Sequence, residues 1–587
     1  MSTPHVESVL TEAEQWIAHD PDPATQGELR ALVEAARAGD AGAEADLASR
    51  FAGPLTFGTA GLRGEVGAGE SRMNLAVVAR ATAGLAAYLA DELAGGAGQA
   101  EQAEPSEPLE PPVVVLGCDA RHGSPEFVRD AARVLSGAGA RALVLPEKLP
   151  TPVLAFAVRH CGADAGVMIT ASHNPPADNG YKVYLGGRLA HGEGRGVQIV
   201  PPADSEIAAR VAAAPPADEI ARSEEHVEQV GDDLLEAYLR RVASLREAAE
   251  PSPVRIVLTP MHGVGGDTAR EALRRAGFGE VHLVPEQARP DPDFPTVAFP
   301  NPEEPGALDL ALDLAREVDA DVVIALDPDA DRCSIAIPEQ ASPEQWRQLS
   351  GDELGALLGE QAARRAASAA ASGGAGEGVL ACSIVSGRLL SRIAAAHGLR
   401  HATTLTGFKW ISRTPGLVFG YEEAIGYCCD PEFVRDKDGI SAAVLVATLV
   451  ESLRREGRTV QGALDDLARA HGLHATAPLT FRVDDLGLIA DAMARLRANP
   501  PAELAGARVT QVVDLAAGSP DLPPTDGVLL RTDADDRVIV RPSGTEPKLK
   551  CYLEVVLAAD SAGPPPAAEA ARRLEILRTE VARLTGL

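Results

Sequence analysis

The sequence predicts an α/β protein built from several domains with mostly parallel sheets, and three observations carry that prediction. Val113-Val114-Val115-Leu116, a helix opening at Ser124-Pro125-Glu126, and Ala142-Leu143-Val144-Leu145 read as strand, helix, strand, the crossover unit of a parallel sheet. Two more apolar runs, 165–169 and 321–326, pass straight into polar loops, at the strand ends where open α/β sheets place their ligands. The chain of 587 residues is also too long for one hydrophobic core and should divide.

Composition narrows the function classes. Apolar residues make up 45% of the chain and aromatics 4%, so the cores should be filled by Val, Leu, Ile and Ala. A formal charge of -31 opposes binding to nucleic acid or anionic membrane. A phosphate ester could bind only where positive groups are locally concentrated. The first residues lack the basic and apolar regions of a secretory signal, and no apolar stretch reaches the length of a membrane span. Seven cysteines, an odd number without zinc-type pairing, read as reduced small hydrophobes of a cytoplasmic protein.

Residues 1–50 read as a helical extension with Trp16, Ile17, Leu29, Leu32 and Val33 on its apolar side. Leu55-Thr56-Phe57-Gly58-Thr59-Ala60-Gly61-Leu62-Arg63-Gly64 crowds three glycines around one arginine. Glycines permit close backbone approach and the arginine suits a bidentate grip on phosphate; a glycine-rich turn with a solvated arginine is the other reading. Residues 94–111 and 362–378 are low in complexity and read as disordered or flexible inserts. The run 165–169 enters Thr170-Ala171-Ser172-His173-Asn174-Pro175, and Pro175-Pro176 forbids continuation of the strand. Ser172 is therefore expected on a tight strand exit, its hydroxyl presented rather than buried. Asn179-Gly180 reads as a hairpin-type turn, with Lys182 on the next extended piece. By itself this stretch equally suits an ordinary Ser/Asn turn.

Residues 204–249 read as helical. The turn Gly263-Val264-Gly265-Gly266 departs from a dinucleotide fingerprint at Thr268 and is read as a strand-to-helix turn only. After the buried run 321–326 comes Asp327-Pro328-Asp329-Ala330-Asp331-Arg332. Three alternate carboxylates can converge on one hard cation, and a solvated acidic turn is the alternative. A calcium EF-hand loop is excluded, because Arg332 and Pro338 stand where Gly and Glu are needed. Glu422 and Glu423, in a glycine-bounded loop with tyrosines, offer acceptors and flat faces to a sugar. Lys437 stands at an expected helix start. Arg541, Ser543, Gly544, Thr545 and Lys548 combine charge, hydroxyls and backbone N–H groups into a phosphate cradle. No Walker A motif, H-E-x-x-H pair or nucleophile elbow is present.

Taken in order, the serine loop, the aspartate loop, the paired-glutamate loop and the stretch 541–548 resemble the phosphohexomutase family of phosphoglucomutases and phosphomannomutases. The likeness extends from about residue 50 to the end. The forms around Arg63, Thr406-Gly407-Phe408-Lys409-Trp410 and Glu422-Glu423-Ala424-Ile425-Gly426-Tyr427 look most like the phosphoglucomutase branch that includes phosphopentomutases and a glucose-1,6-bisphosphate synthase. The resemblance implies three related α/β domains with mixed sheets (51–203, 204–340 and 341–474) and a smaller C-terminal α+β domain (475–587), heart-shaped around a central cleft.

It further implies an isomerase that interconverts glucose 1-phosphate and glucose 6-phosphate through a phosphoserine and a sugar 1,6-bisphosphate, which is also the activator. Mannose or pentose phosphates on the same scaffold are the alternative. Ser172 matches the phosphoryl-carrying serine, with His173, Lys182 and Arg63 in the catalytic group. Asp327, Asp329 and Asp331, together with Ser172, match the ligands of Mg²⁺. Thr59, Arg332, Thr406, Gly407, Lys409, Glu422, Glu423, Lys437, Arg541, Ser543, Gly544, Thr545 and Lys548 fall to substrate binding. The family's serine near the sugar is replaced by Ala424, which leaves the choice of sugar open. The implied partner is a small sugar phosphate, with no nucleic acid and no membrane, for a monomer or weak homo-oligomer.

Overall fold

A computed structural model describes residues 4–58, 61–99, 110–248, 250–339, 342–371, 378–483, 485–520, 522–543, 547–560 and 563–587. The chain divides into two compact units, one of residues 1–336 with 430–447, the other of 337–429 with 448–587.

The first unit begins with helices Pro4–His19, Pro23–Arg37 and Ala41–Arg50. The second and third are started by Asp22 and Asp40, whose carboxylates accept from backbone N–H groups in the first turn. A seven-stranded mixed sheet follows. Its parallel centre is Ala165–Ile169, Val113–Cys118 and Arg141–Val144; the first two are almost wholly apolar because both their faces are buried. Asp178–Leu185 runs antiparallel beside Ala165–Ile169 and carries Leu62–Glu65 on its other side. The second sheet sets Phe278–Leu283, Ser252–Thr259 and Val322–Leu326 parallel, with Cys333–Glu339 returning antiparallel.

The second unit holds a sheet of Arg400–Thr404, Val379–Ser383 and Leu417–Glu422 in parallel, with Gly426–Cys428 antiparallel. It also holds a six-stranded sheet from Leu473–Arg482 to Glu503–Leu504, antiparallel throughout. Helices Leu486–Ala498 and Ala567–Thr585 cover that sheet with Ile489, Met493, Leu496, Leu577 and Val581. The α/β class is therefore realised as three mixed sheets and a C-terminal α+β segment.

Several local expectations are corrected. Helix Leu75–Gln99 runs through the start of the first low-complexity segment, and helix Gly351–Ala371 covers much of the second; alanine is the strongest helix former, so residues 94–99 and 362–371 extend existing helices. The remainder, 100–109 and 372–377, lies outside the described residues. The stretch 204–249 is two helices, Ala203–Ala213 and Asp233–Ala243, separated by strand Val227–Gln229. Asn179-Gly180 is no turn: both residues lie inside a strand, opposite Gly64 and Arg63. Gly180 is needed there for close packing, since a Cβ would meet the Thr170 carbonyl oxygen at 2.6 Å. Among the described residues no helix is long and apolar enough to cross a membrane, and all seven cysteines are free, with Cys161 exposed and the others buried.

Candidate active site

Strand Ala165–Ile169 delivers the serine loop and strand Val322–Leu326 delivers the aspartate loop, both inside the first unit. They meet: Ser172 Oγ donates to Asp327 Oδ2 at 2.8 Å. Ser172 adopts a left-handed backbone with φ 52°, held by its N–H donating to Thr170 Oγ1 at 2.9 Å. A non-glycine residue stays in that region only when its surroundings impose it. The expectation of a presented hydroxyl is corrected, because Ser172 is only 3% exposed with the aspartate loop against it.

Asp327, Asp329 and Asp331 are fully buried, and one oxygen from each lies within 4.8 Å of the others. Oδ1 of Asp329 and Oδ1 of Asp331 are buried without a hydrogen-bond partner. Orphaned carboxylate oxygens converging in an all-oxygen cup fit a hard divalent cation, so the residues suit Mg²⁺. Around the cup the charges are balanced by lysines. Lys182 Nζ lies 2.7 Å from Asp329 Oδ2 and 3.2 Å from Asp331 Oδ2, and Lys437 Nζ lies 3.0 Å from Asp331 Oδ2. Thr151 at a helix start donates its hydroxyl to Asp329 Oδ2 at 2.7 Å. The aspartate loop is pinned from the side of Lys437 as well: Gly439 N–H donates to the Ala330 carbonyl at 3.2 Å.

The electrostatics follow from this geometry. Burial, then the charges of Asp329 and Asp331, raise the Asp327 carboxyl well above its ordinary range. Burial would also raise Asp329, but the Lys182 ammonium overrides it and holds that carboxyl low. Burial disfavours the Lys182 charge, yet Asp329 and Asp331 keep it an ammonium. His173 is neutral, pushed down by burial and then by Arg332 and Arg63, and its Nδ1 is buried without a partner. Arg63 donates to Asn174 Oδ1 at 3.1 Å, which ties the glycine-rich stretch to the serine loop. Arg332 N–H donates to Asp327 Oδ1 at 3.0 Å, and its guanidinium stays within 4 Å of Asp327 and Asp331.

One structural residue escaped the sequence reading. Arg121, 2% exposed, donates to the carbonyls of Ser172, Asn174, Pro175 and Asp178 at 2.6, 2.6, 2.7 and 2.9 Å. It is the mould on which the serine loop is cast. Asp119 sits 3.4 Å from its Nε and accepts from Ser124 Oγ. The available signal was an Asp-x-Arg directly after a buried strand, where a charged pair must have a partner.

In the second unit, Glu422 ends a strand and Glu423 opens the three-residue turn to Gly426–Cys428. Glu423 Oε2 accepts from Ser383 and Ser386 hydroxyls, each at 3.0 Å. Burial, then the neighbouring Glu422 charge, push Glu423 up to about 7. Gly407 has φ 104° and opens the short helix Phe408–Ile411 that carries Lys409, with Thr406 just before it. Arg541 is the last residue but one of strand Arg537–Pro542, and Ser543 N–H donates to the Lys548 carbonyl at 2.8 Å, closing the loop between two strands. Thr59, Gly544 and Thr545 lie outside the described residues.

Comparison with known proteins agrees with this arrangement. Models described as phosphoglucomutase/phosphomannomutase alpha/beta/alpha domains I, II and III match residues 54–216, 236–340 and 350–470, and the C-terminal domain of that family matches 481–562. A Haemophilus influenzae protein named "Probable phosphomannomutase" is 43% identical over 82% of this chain and 93% of its own length. A Mus musculus phosphopentomutase is 33% identical over 93% of this chain and 90% of its own. A Staphylococcus epidermidis phosphoglucomutase is 32% identical over 85% and 90%. A solved phosphoglucomutase/phosphomannomutase family protein from Burkholderia thailandensis shares the fold, with a TM-score of 0.64 at 20% identity over 90% of this chain and 97% of that one. With four consecutive domain matches and relatives alike over most of its length, the chain belongs to the phosphoglucomutase/phosphomannomutase family of mutases.

Proposed function

We infer that this chain is a phosphoglucomutase, interconverting glucose 1-phosphate and glucose 6-phosphate. The observation that carries the reading is the Ser172 hydroxyl seated 2.8 Å from one carboxylate of a buried three-aspartate cup. Mere binding of a sugar phosphate needs neither group.

Phosphate-monoester chemistry is among the slowest uncatalysed reactions, so the protein must supply position and positive charge. In the working form Ser172 carries a phosphoryl group. The Oγ–P bond breaks as a bond forms from phosphorus to a substrate hydroxyl oxygen, giving a sugar 1,6-bisphosphate. That intermediate turns over and returns its other phosphoryl to Ser172. Mg²⁺ held by Asp327, Asp329, Asp331 and the serine phosphate would neutralise charge on the transferring group. Lys182 and Arg63 stabilise the developing charge and assist the passage of the substrate hydroxyl's proton to the Ser172 Oγ that the transfer frees, with neutral His173 beside them. Arg332 and Lys437 add positive charge for the substrate. The domain frame is 51–203 for the serine loop, 204–340 for the metal loop, 341–474 for the sugar loop and 475–587 for the phosphate loop. Glu422 and Glu423 take sugar hydroxyls, with Thr59, Thr406, Gly407 and Lys409 completing the substrate contacts. Arg541, Ser543, Gly544, Thr545 and Lys548 grip whichever phosphate is not reacting, so one loop serves both orientations. The enzyme is read as cytoplasmic, and as a monomer or weak homo-oligomer.

A second reading, a phosphomannomutase or a phosphopentomutase with bisphosphate-synthase activity, is favoured by Ala424 at the position of the family's sugar-contacting serine and by the phosphopentomutases that align with 93% of this chain. Turnover with glucose 1-phosphate, mannose 1-phosphate and ribose 1-phosphate decides between them: a kcat/KM highest for glucose supports the first reading, and one highest for ribose or mannose replaces it. Incubation with glucose 1,6-bisphosphate should add one phosphoryl group to the intact protein and none to Ser172→Ala. Full mutase activity in Ser172→Ala would defeat the scheme.

A further inference from the structure

In the second unit a cavity of about 710 Å³ lies between the sheet containing Val379–Ser383 and the C-terminal sheet. Drug-sized ligand sites span about 300–1,000 Å³, so its size suits a small molecule. None of the described residues given a role in the sugar or phosphate loops lines it. One wall is apolar, formed by Ile384, Val513, Leu515, Leu522 and Leu529; the other presents Arg388, Arg531 and Arg537.

The charges of that second wall do not balance. Cross-strand register places Arg531 opposite Arg537 and Arg537 opposite Glu554, so the three side chains form one row across one face of the sheet. Glu554 is consumed by Arg537 at 3.1 Å and by Arg388 at 2.7 Å. Arg388 takes Asp535 besides, at 2.5 Å, and Arg537 spends its remaining donors on the carbonyls of Ile384 and Ser386. Arg531 is left at the end of the row beside two other guanidiniums. Its Nε is buried and has no hydrogen-bond partner among the described residues. Burial, then the charges of Arg388 and Arg537, make its positive charge harder to keep, and the carboxylates of Asp535 and Glu554 offset this only in part. Like charges set opposite each other in a sheet are destabilising, and a cavity-facing cation whose nearby carboxylates, Asp535 and Glu554, are already paired with Arg388 and Arg537 is stabilised by an incoming anion.

We propose that this cavity is a second ligand site, for a small molecule carrying an anionic group on an apolar or aromatic body, with Arg531 as its anion anchor. The apolar wall distinguishes this ligand from sugar phosphates, whose hydroxyls would find few partners there. Occupancy would be felt at the sugar loop. Arg537 holds the Ser386 carbonyl, and the Ser386 hydroxyl holds Glu423.

The test uses the full-length protein and the fluorescent probe 8-anilinonaphthalene-1-sulfonate, an anion on an aromatic body, with uncharged 1-anilinonaphthalene as control. The native protein should bind the sulfonate at one saturable site and more tightly than the control. A hydrogen bond to a charged group contributes enough that Arg531→Ala should weaken sulfonate binding about tenfold or more while leaving the control unchanged. Leu522→Trp, which fills the apolar half, should weaken both probes. Melting curves check that both variants remain folded. Displacement of the bound probe by phenyl phosphate alone assigns the natural ligand to phosphate esters, and displacement by benzoate alone assigns it to carboxylates. Equal sulfonate affinity in native protein and Arg531→Ala, or displacement by neither competitor, overturns the proposal.

Discussion

Replacing Arg121 with Met should loosen the serine loop without touching any group assigned to the chemistry. The guanidinium makes hydrogen bonds to four backbone carbonyls in and beside that loop, at 2.6–2.9 Å, and it is the counter-charge of buried Asp119. A methionine fills similar volume but leaves those carbonyls and a buried carboxylate unsatisfied. Breaking a buried ion pair by removing one partner costs about 3–5 kcal/mol; the loop's four carbonyls lie in one small region, so their losses are not simply additive with it. Taking the lower value, local opening of the loop should become easier by about 3 kcal/mol, or about a hundredfold in the opening equilibrium. Hydrogen–deuterium exchange read by mass spectrometry on peptides spanning residues 170–180 measures that opening. Exchange should quicken by about that factor there, while peptides of the C-terminal sheet keep their native rates. With glucose 1-phosphate, kcat should fall more than KM rises, because Ser172 loses the backbone that aims its hydroxyl. Arg121→Lys keeps the charge without the planar fork and should fall between the two. Native exchange rates in Arg121→Met would refute the moulding role.

Asp329→Asn removes the carboxylate that both faces the cup and pairs with Lys182, so magnesium-dependent turnover should drop by roughly 10²–10³-fold, read in a coupled assay across a magnesium titration. Normal magnesium activation would refute the ligand assignment. Gly439→Ala puts a Cβ 2.4 Å from the Arg332 carbonyl oxygen, a backbone clash that should push the aspartate loop off its seat. Its magnesium requirement should rise and its melting temperature fall. Glu423 has a native pKa raised to about 7 from an ordinary 4.5. The native state therefore binds more protons than the unfolded one between those values, and stability is fully present below pH 4.5 and lost as pH rises through 7. Glu423→Gln should flatten that part of the pH–melting profile, measured from pH 4.5 to 8.

Much of the fold was legible in the sequence because its signals are local. Runs such as 113–116 and 322–326 are buried on both faces and read as strands wherever they occur. Residues 94–99 and 362–371 of the low-complexity tracts were misread, because their alanines carry helix propensity without amphipathic pattern and they continue helices that begin upstream. Asn179-Gly180 failed for the opposite reason: its dipeptide chemistry says turn, while two neighbouring backbones require a residue without a Cβ. The aspartate cup was visible as three alternate carboxylates, whose spacing lets them converge, while burial of the loop, which excludes a solvated acidic turn, came from the packing around it.

What the sequence determined by itself is the inventory: a serine on a strand exit, three close carboxylates, and loops carrying lysines and arginines, each readable because short-range chain geometry holds it together. What only the tertiary structure decided is which of these face one another. Residues 172 and 327 are brought to 2.8 Å by the packing of two separate sheets, and Lys182 and Lys437 reach the same carboxylate from opposite sides of the sequence. The buried role of Arg121 and the crowding of Arg531 by two other guanidiniums belong to the same class, because burial and charge balance are properties of neighbours in space, which no pattern along the chain encodes.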